Sequence, residues 1–168
     1  KIDPEQMAPM RAVRFRARDG LELEAMLTIP VGREPKGLPL VINPHGGPFG
    51  PRDEWRFSSE VQFLANRGFV VLQPNYRGSG GYGMAFERAG YRQWGRAMQD
   101  DLTDAVKWAV AEGLADPTRV VIMGASYGGY AAMAGLAFTP ELYCAGVNYV
   151  GVTDLTTITR QGRGSEGG

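Results

Sequence analysis

Val120-Val121-Ile122-Met123-Gly124-Ala125-Ser126-Tyr127-Gly128-Gly129-Tyr130 is the stretch on which the fold turns. A short β-branched run ends in Gly-x-Ser-x-Gly, and small residues follow: Ala131, Ala132, Ala134 and Gly135. A buried strand feeding a sharp turn, with a tightly packed helix leaving behind it, needs that order. Gly124 and Gly128 let strand and helix backbones approach where a Cβ would clash. The turn exposes the Ser126 hydroxyl, and the N–H of Tyr127 opens a helix, where it can stabilise an oxyanion. The spacing therefore predicts a nucleophile elbow and acyl-transfer chemistry through Ser126. With 24 glycines in 168 residues, Gly-x-Ser-x-Gly alone is weak evidence, and a glycine-rich turn is the bland alternative.

A second motif adds weight. Pro39-Leu40-Val41-Ile42-Asn43 reads as another buried strand and runs into Pro44-His45-Gly46-Gly47-Pro48. A loop without bulky Cβ atoms leaves its N–H groups free to point at a developing negative charge. Its bland reading is a Pro/Gly turn.

Together these segments resemble the catalytic domain of the prolyl oligopeptidase family of serine peptidases, nearest its acylaminoacyl-peptidase and dipeptidyl-peptidase branches. The residues carrying the likeness are His45-Gly46-Gly47-Pro48, Asn75-Tyr76-Arg77-Gly78-Ser79-Gly80-Gly81-Tyr82-Gly83, Gln99-Asp100-Asp101 and Gly124-Ala125-Ser126-Tyr127-Gly128-Gly129-Tyr130. The likeness runs from about Val13 to about Leu155. It implies Ser126 as nucleophile and the Tyr127 N–H as one oxyanion donor. Some members supply a tyrosine hydroxyl as the second donor; His45 occupies that place here. The resemblance therefore implies a backbone N–H, that of Gly47, as the second donor, with His45 on the oxyanion side. It also implies an α/β-hydrolase fold, a peptide substrate and no cofactor or metal.

The rest of the chain fits a globular α/β domain. Hydrophobic residues make up 43% and charged residues 21%. Lys+Arg and Asp+Glu are both 18, so no net field draws the chain to nucleic acid or an anionic membrane. Residues 11–17 and 21–29 alternate about Asp19-Gly20 and predict a hairpin. Arg11, Arg14, Arg16 and Arg18 then form one polar strand face. Ser58 to Arg67 predicts a helix closed by Gly68, followed by a buried strand at 69–73 and a glycine loop at 74–83. A short helix is expected near 84–90 and a longer one over 99–112, where Asp100, Asp101 and Asp104 suit the positive helix end. Strand 119–123, helix 127–138 and strand 145–150 complete the series. Strands alternating with helices predict a mostly parallel sheet with helices on both faces. The whole of 1–168 reads as a single partial α/β-hydrolase catalytic domain, with a leading linker at 1–10 and a flexible tail at 161–168.

Cys144, the single cysteine, reads as a core filler. No apolar run approaches the ~20 residues that span a bilayer, and no signal-like segment is present, so a cytoplasmic setting is the expectation. One histidine and one cysteine do not make a metal site.

A serine nucleophile needs a base, and the base an orienting acid. In this fold the chain order is Ser, then Asp or Glu, then His. No histidine follows Ser126, and the acids after it are Glu141, Asp154 and Glu166. The sequence is thus expected to be a C-terminally incomplete domain that lacks the triad Asp and His and is inactive alone. Residues 145–150 would be an exposed edge strand, with self-association through that edge. An esterase or lipase of the same fold, and a non-catalytic binding module, remain the alternatives.

Overall fold

The computed structural model describes residues 3–156. The predicted tail at 161–168 and Glu166 lie outside the described residues. Among the described residues, after a 3-10 turn at Pro4–Gln6, six strands and four α-helices follow in the order β1 (Met10–Arg16), β2 (Glu22–Thr28), β3 (Leu38–Ile42), α1 (Ser59–Asn66), β4 (Val70–Asn75), α2 (Met84–Arg88), α3 (Ala97–Ala111), β5 (Ala115–Ala125), α4 (Tyr127–Phe138) and β6 (Ala145–Tyr149). They build one sheet in the order β1-β2-β4-β3-β5-β6. The β1–β2 and β2–β4 pairs are antiparallel, and β4, β3, β5 and β6 run parallel. This is the α/β-hydrolase arrangement the alternation predicted.

Strand alternation sorts the core into two faces. Leu40 and Ile42, Val70 and Leu72, and Leu23, Ala25 and Leu27 join one cluster with Leu102, Ala105, Val106 and Ala109 of α3 and Ala131 and Ala132 of α4. The intervening Met26, Val41 and Val71 are equally buried but lie outside that cluster, as do Val61 and Ala65 of α1. Helices therefore cover both faces. Ser58 caps α1 by accepting the Val61 N–H at 3.3 Å, as its sequence position suggests.

Three expectations need correction. Cys144 is exposed, because it leads into β6, the outermost strand, where little packs over it. Asp101 and Asp104 do not serve the end of α3, since Arg96 is the N-cap and no side chain caps that helix. Asp101 instead binds Arg77, and Asp104 binds Arg18 at 2.9 Å. Arg18, expected on the polar strand face, lies beyond the end of β1 at Arg16 and turns to α3. In addition, β5 begins at Ala115, earlier than its β-branched run suggests.

Among the described residues no helix is long and apolar enough to cross a membrane.

Candidate active site

The two loops singled out in the sequence follow adjacent parallel strands. Residues 43–48 leave β3, and Ser126 leaves β5, so both lie at the carboxyl end of the sheet. The chain path reverses here: β4 lies on one side of β3 and β5 on the other. Open α/β sheets place their crevices at such a switch point.

Ser126 has φ 55° and ψ −119°, a conformation L-residues avoid. Its N–H is held at 3.1 Å from the Tyr149 carbonyl, and its carbonyl accepts the Tyr130 N–H. The strain is sustained by close packing on both sides. A Cβ on Gly124 would come within 2.6 Å of the Gly128 carbonyl carbon, and one on Gly128 would collide with the Pro44 carbonyl. The elbow and the 44–46 loop are therefore pressed together. Gly46 lies against Ser126: a Cβ there would meet Ser126 Cβ at 3.4 Å and Oγ at 3.9 Å. Gly47, by contrast, faces Pro51 and Phe49 with its α-carbon.

Ser126 is exposed and Tyr127 is buried. No side chain caps the start of α4, so its first N–H groups, beginning with Tyr127, have neither a helical partner nor a side-chain acceptor. A groove of about 460 Å³ opens beside the elbow, lined by Asn43, His45, Gly46, Met123, Ala125 and Tyr149 among others.

The His45 ring does not serve Ser126. Its Nε2 is 2.7 Å from Ser79 Oγ, its Nδ1 is 2.8 Å from the Gly46 carbonyl, and the ring stacks on Tyr76 at 4.4 Å between centroids. Burial holds its pKa below the usual imidazole range. The Tyr76 hydroxyl donates to the His45 carbonyl at 2.7 Å. These contacts tie the His-Gly-Gly loop to the 75–83 loop.

That second loop is itself anchored. Arg77 binds Asp101 with both its Nε and an Nη, and reaches Asp19 at 2.7 Å. Asn75 exchanges two hydrogen bonds with the Asp53 backbone, accepting at 2.7 Å and donating at 2.8 Å. Composition and periodicity gave no role to Asn75, Tyr76, Arg77 or Ser79. Their sequence signal was the Asn-Tyr-Arg-Gly-Ser stretch that carries the family resemblance.

Asp154, Glu141 and Cys144 do not line the groove. Among the described residues no three His, Cys, Asp or Glu side chains lie close enough to hold a metal ion.

Comparison with known proteins agrees with this geometry. The model of the prolyl oligopeptidase family matches residues 55–162, more than half of the chain. Dipeptidyl aminopeptidase BIII of Pseudoxanthomonas mexicana is 42% identical over 165 residues, 94% of this chain and 24% of that protein. An acylamino-acid-releasing enzyme of Sus scrofa is 35% identical over 128 residues, 75% of this chain and 17% of that protein. Among solved structures, a puromycin hydrolase superposes with a TM-score of 0.89 at 30% identity, covering 96% of this chain and 25% of that one. A puromycin-hydrolyzing peptidase of Mycobacterium tuberculosis gives 0.85 at 32%, over 95% and 25%. The matched part of the chain spans between 17% and 25% of the length of these proteins. With a strained serine at the turn from β5 into α4 and a family match across most of its length, the chain belongs to the prolyl oligopeptidase family.

Proposed function

We propose that Ser126 is the nucleophile of a serine peptidase and forms an acyl-enzyme with peptide substrates. The observation that carries this is the exposed Ser126 at φ 55°, beside Gly46 and at the uncapped start of α4. A substrate carbonyl seated there would develop its negative charge against the Tyr127 N–H. The N–H of Gly47 is the second donor, with His45 on the oxyanion side but not acting as base. Removing an oxyanion donor of this kind costs about 10²–10³ in kcat. The named relatives are peptidases, which favours peptide bonds over simple esters.

The 168-residue chain is itself a poor hydrolase in this reading. Its one histidine is committed to Ser79 and Gly46, so no histidine in it draws the proton from Ser126. Serine proteases stripped of triad members keep only ~10³–10⁴-fold over water.

The experiment compares the complete gene product on aminoacyl and dipeptidyl anilides against nitrophenyl esters. Peptidase activity predicts a higher kcat/KM on the anilides relative to their uncatalysed rates, abolished by Ser126→Ala. Ester turnover without anilide turnover would favour an esterase of the same fold.

A further inference from the structure

The first turn of α4 is squeezed from two sides. Gly128 is pressed on the Pro44 carbonyl, and Gly129 on the turn that follows β6. A Cβ on Gly129 would collide with Asn148 Oδ1 and come within 2.7 Å of the Gly151 α-carbon. The same Oδ1 accepts the Gly151 N–H at 2.7 Å. That hydrogen bond closes a turn over Tyr149 and Val150, and the Tyr149 carbonyl takes the Ser126 N–H at 3.1 Å.

Val150, third in this turn, stands at φ 46°. A positive φ at that place calls for glycine, and a β-branched residue keeps one only where its surroundings impose it. Burial does not impose it, since Val150 is 71% exposed. The ends of the turn do. Asn148 lies in the ladder opposite Gly124 of β5, and Gly151 is held by Asn148 and packed on Gly129. Between these fixed ends the Tyr149–Val150 peptide has two orientations. Turning it over is the step that separates β-turn types I and II, and it carries φ of the third residue from positive to negative. Val150 would then relax, and the Tyr149 carbonyl would point away from Ser126.

The consequence falls on the strained serine. Its N–H is held by Tyr149 and its carbonyl by the Tyr130 N–H, so both peptides flanking Ser126 are fixed and its φ and ψ are imposed. Losing the Tyr149 contact frees one of the two.

We infer that Asn148 is a positioning residue for Ser126: it holds the Tyr149–Val150 peptide in its strained orientation, so that the Tyr149 carbonyl keeps the Ser126 N–H and fixes the nucleophile. The link to chemistry rests on the proposed role of Ser126.

The first test needs no turnover. Asn148 is itself exposed, so Asn148→Ala in the complete gene product is expected to fold. Hydrogen exchange of the Ser126 amide, read by mass spectrometry, should quicken about tenfold in that variant. Adding Val150→Gly should slow it again, because glycine takes a positive φ without a clamp. Equal exchange in the parent and Asn148→Ala overturns the inference, as does a double variant that exchanges as fast as the single one.

The second test is kinetic. On a peptide anilide, Asn148→Ala is expected to lose about tenfold or more in kcat with KM little changed. Asn148→Asp, which keeps an acceptor for the Gly151 N–H, and the double variant with Val150→Gly should each recover much of that loss. An unchanged kcat, a loss confined to KM, or a loss that neither variant recovers overturns the positioning role. Exchange that follows the expected pattern in a protein whose hydrolysis survives Ser126→Ala would keep the clamp and sink the nucleophile reading, so the two failures are distinguishable.

Discussion

Arg77 and Asp101 form a buried ion pair, 2.7 Å from Nη2 to Oδ1, between the glycine loop after β4 and the first turns of α3. Asp101 is fully buried, and it also accepts the Arg77 backbone N–H at 2.9 Å. One carboxylate thus holds both the side chain and the main chain of the residue next to Tyr76. The pair fixes the platform on which His45 rests.

Breaking that pair from one side leaves an uncompensated charge in the core. Arg77→Ala is expected to lower stability by about 3–5 kcal/mol. Urea unfolding followed by circular dichroism measures this. A loss under about 1 kcal/mol would mean that solvent reaches Asp101 once its partner is gone, and that the pair behaves as an exposed one.

Much of the elbow is legible in the sequence, because it is local. β-branched residues, two glycines at fixed spacing and a run of alanines specify strand, turn and helix without distant contacts. The boundaries of α4 and the β1–β2 hairpin follow in the same way. The anchoring of the glycine loop is not legible. Arg77 meets Asp101, and His45 meets Ser79, across separations that no local pattern encodes. Asp101 and Asp104 look like helix-end charges in the sequence because their position near the start of α3 satisfies that rule equally well. Cys144 misleads for a related reason: whether an apolar stretch is covered depends on where its strand falls in the sheet order.

The two glycines near Ser126 should fail differently. Gly128→Ala drives a methyl into the Pro44 carbonyl and is expected to cost about 1–3 kcal/mol of stability. Gly46→Ala meets Ser126 only at contact distance, so the fold should survive within about 1 kcal/mol. Its methyl occupies the space beside the nucleophile, and hydrolysis by the complete gene product should fall. Thermal melts paired with anilide turnover separate the two; similar melting losses in both variants would contradict the packing described.

Asp53 makes the stability pH-dependent. Burial pushes its carboxyl up to about 6, with Arg56 opposing and Glu60 adding to the rise, and its Oδ2 has no partner among the described residues. The folded chain therefore holds a proton that the unfolded chain releases near pH 4, and stability falls as pH rises from about 4 to 6. The full penalty, about 3 kcal/mol, is present above pH 6. Asp53→Asn keeps an acceptor for Gln73 and removes the charge. It should be more stable than the parent at pH 7.5 and indistinguishable at pH 4. Equal stabilities at pH 7.5 would show that the carboxylate is solvated.

Among the described residues β6 pairs on one side only, and Val147 and Tyr149 are 46% and 68% exposed. The strand carries neither proline nor charge to block pairing. The 168-residue chain should show a scattering mass that rises with concentration, and Val147→Lys should suppress the rise. A strict monomer across a hundredfold concentration range would count against an open edge.

The account stands on Ser126 as the nucleophile. The direct measurement is reaction of the complete gene product with a fluorophosphonate, followed by mass spectrometry of its peptides. The account predicts a single stoichiometric adduct on the peptide containing Ser126, with loss of anilide hydrolysis in step with labelling. An adduct on another residue, or hydrolysis that persists in Ser126→Ala, would contradict it.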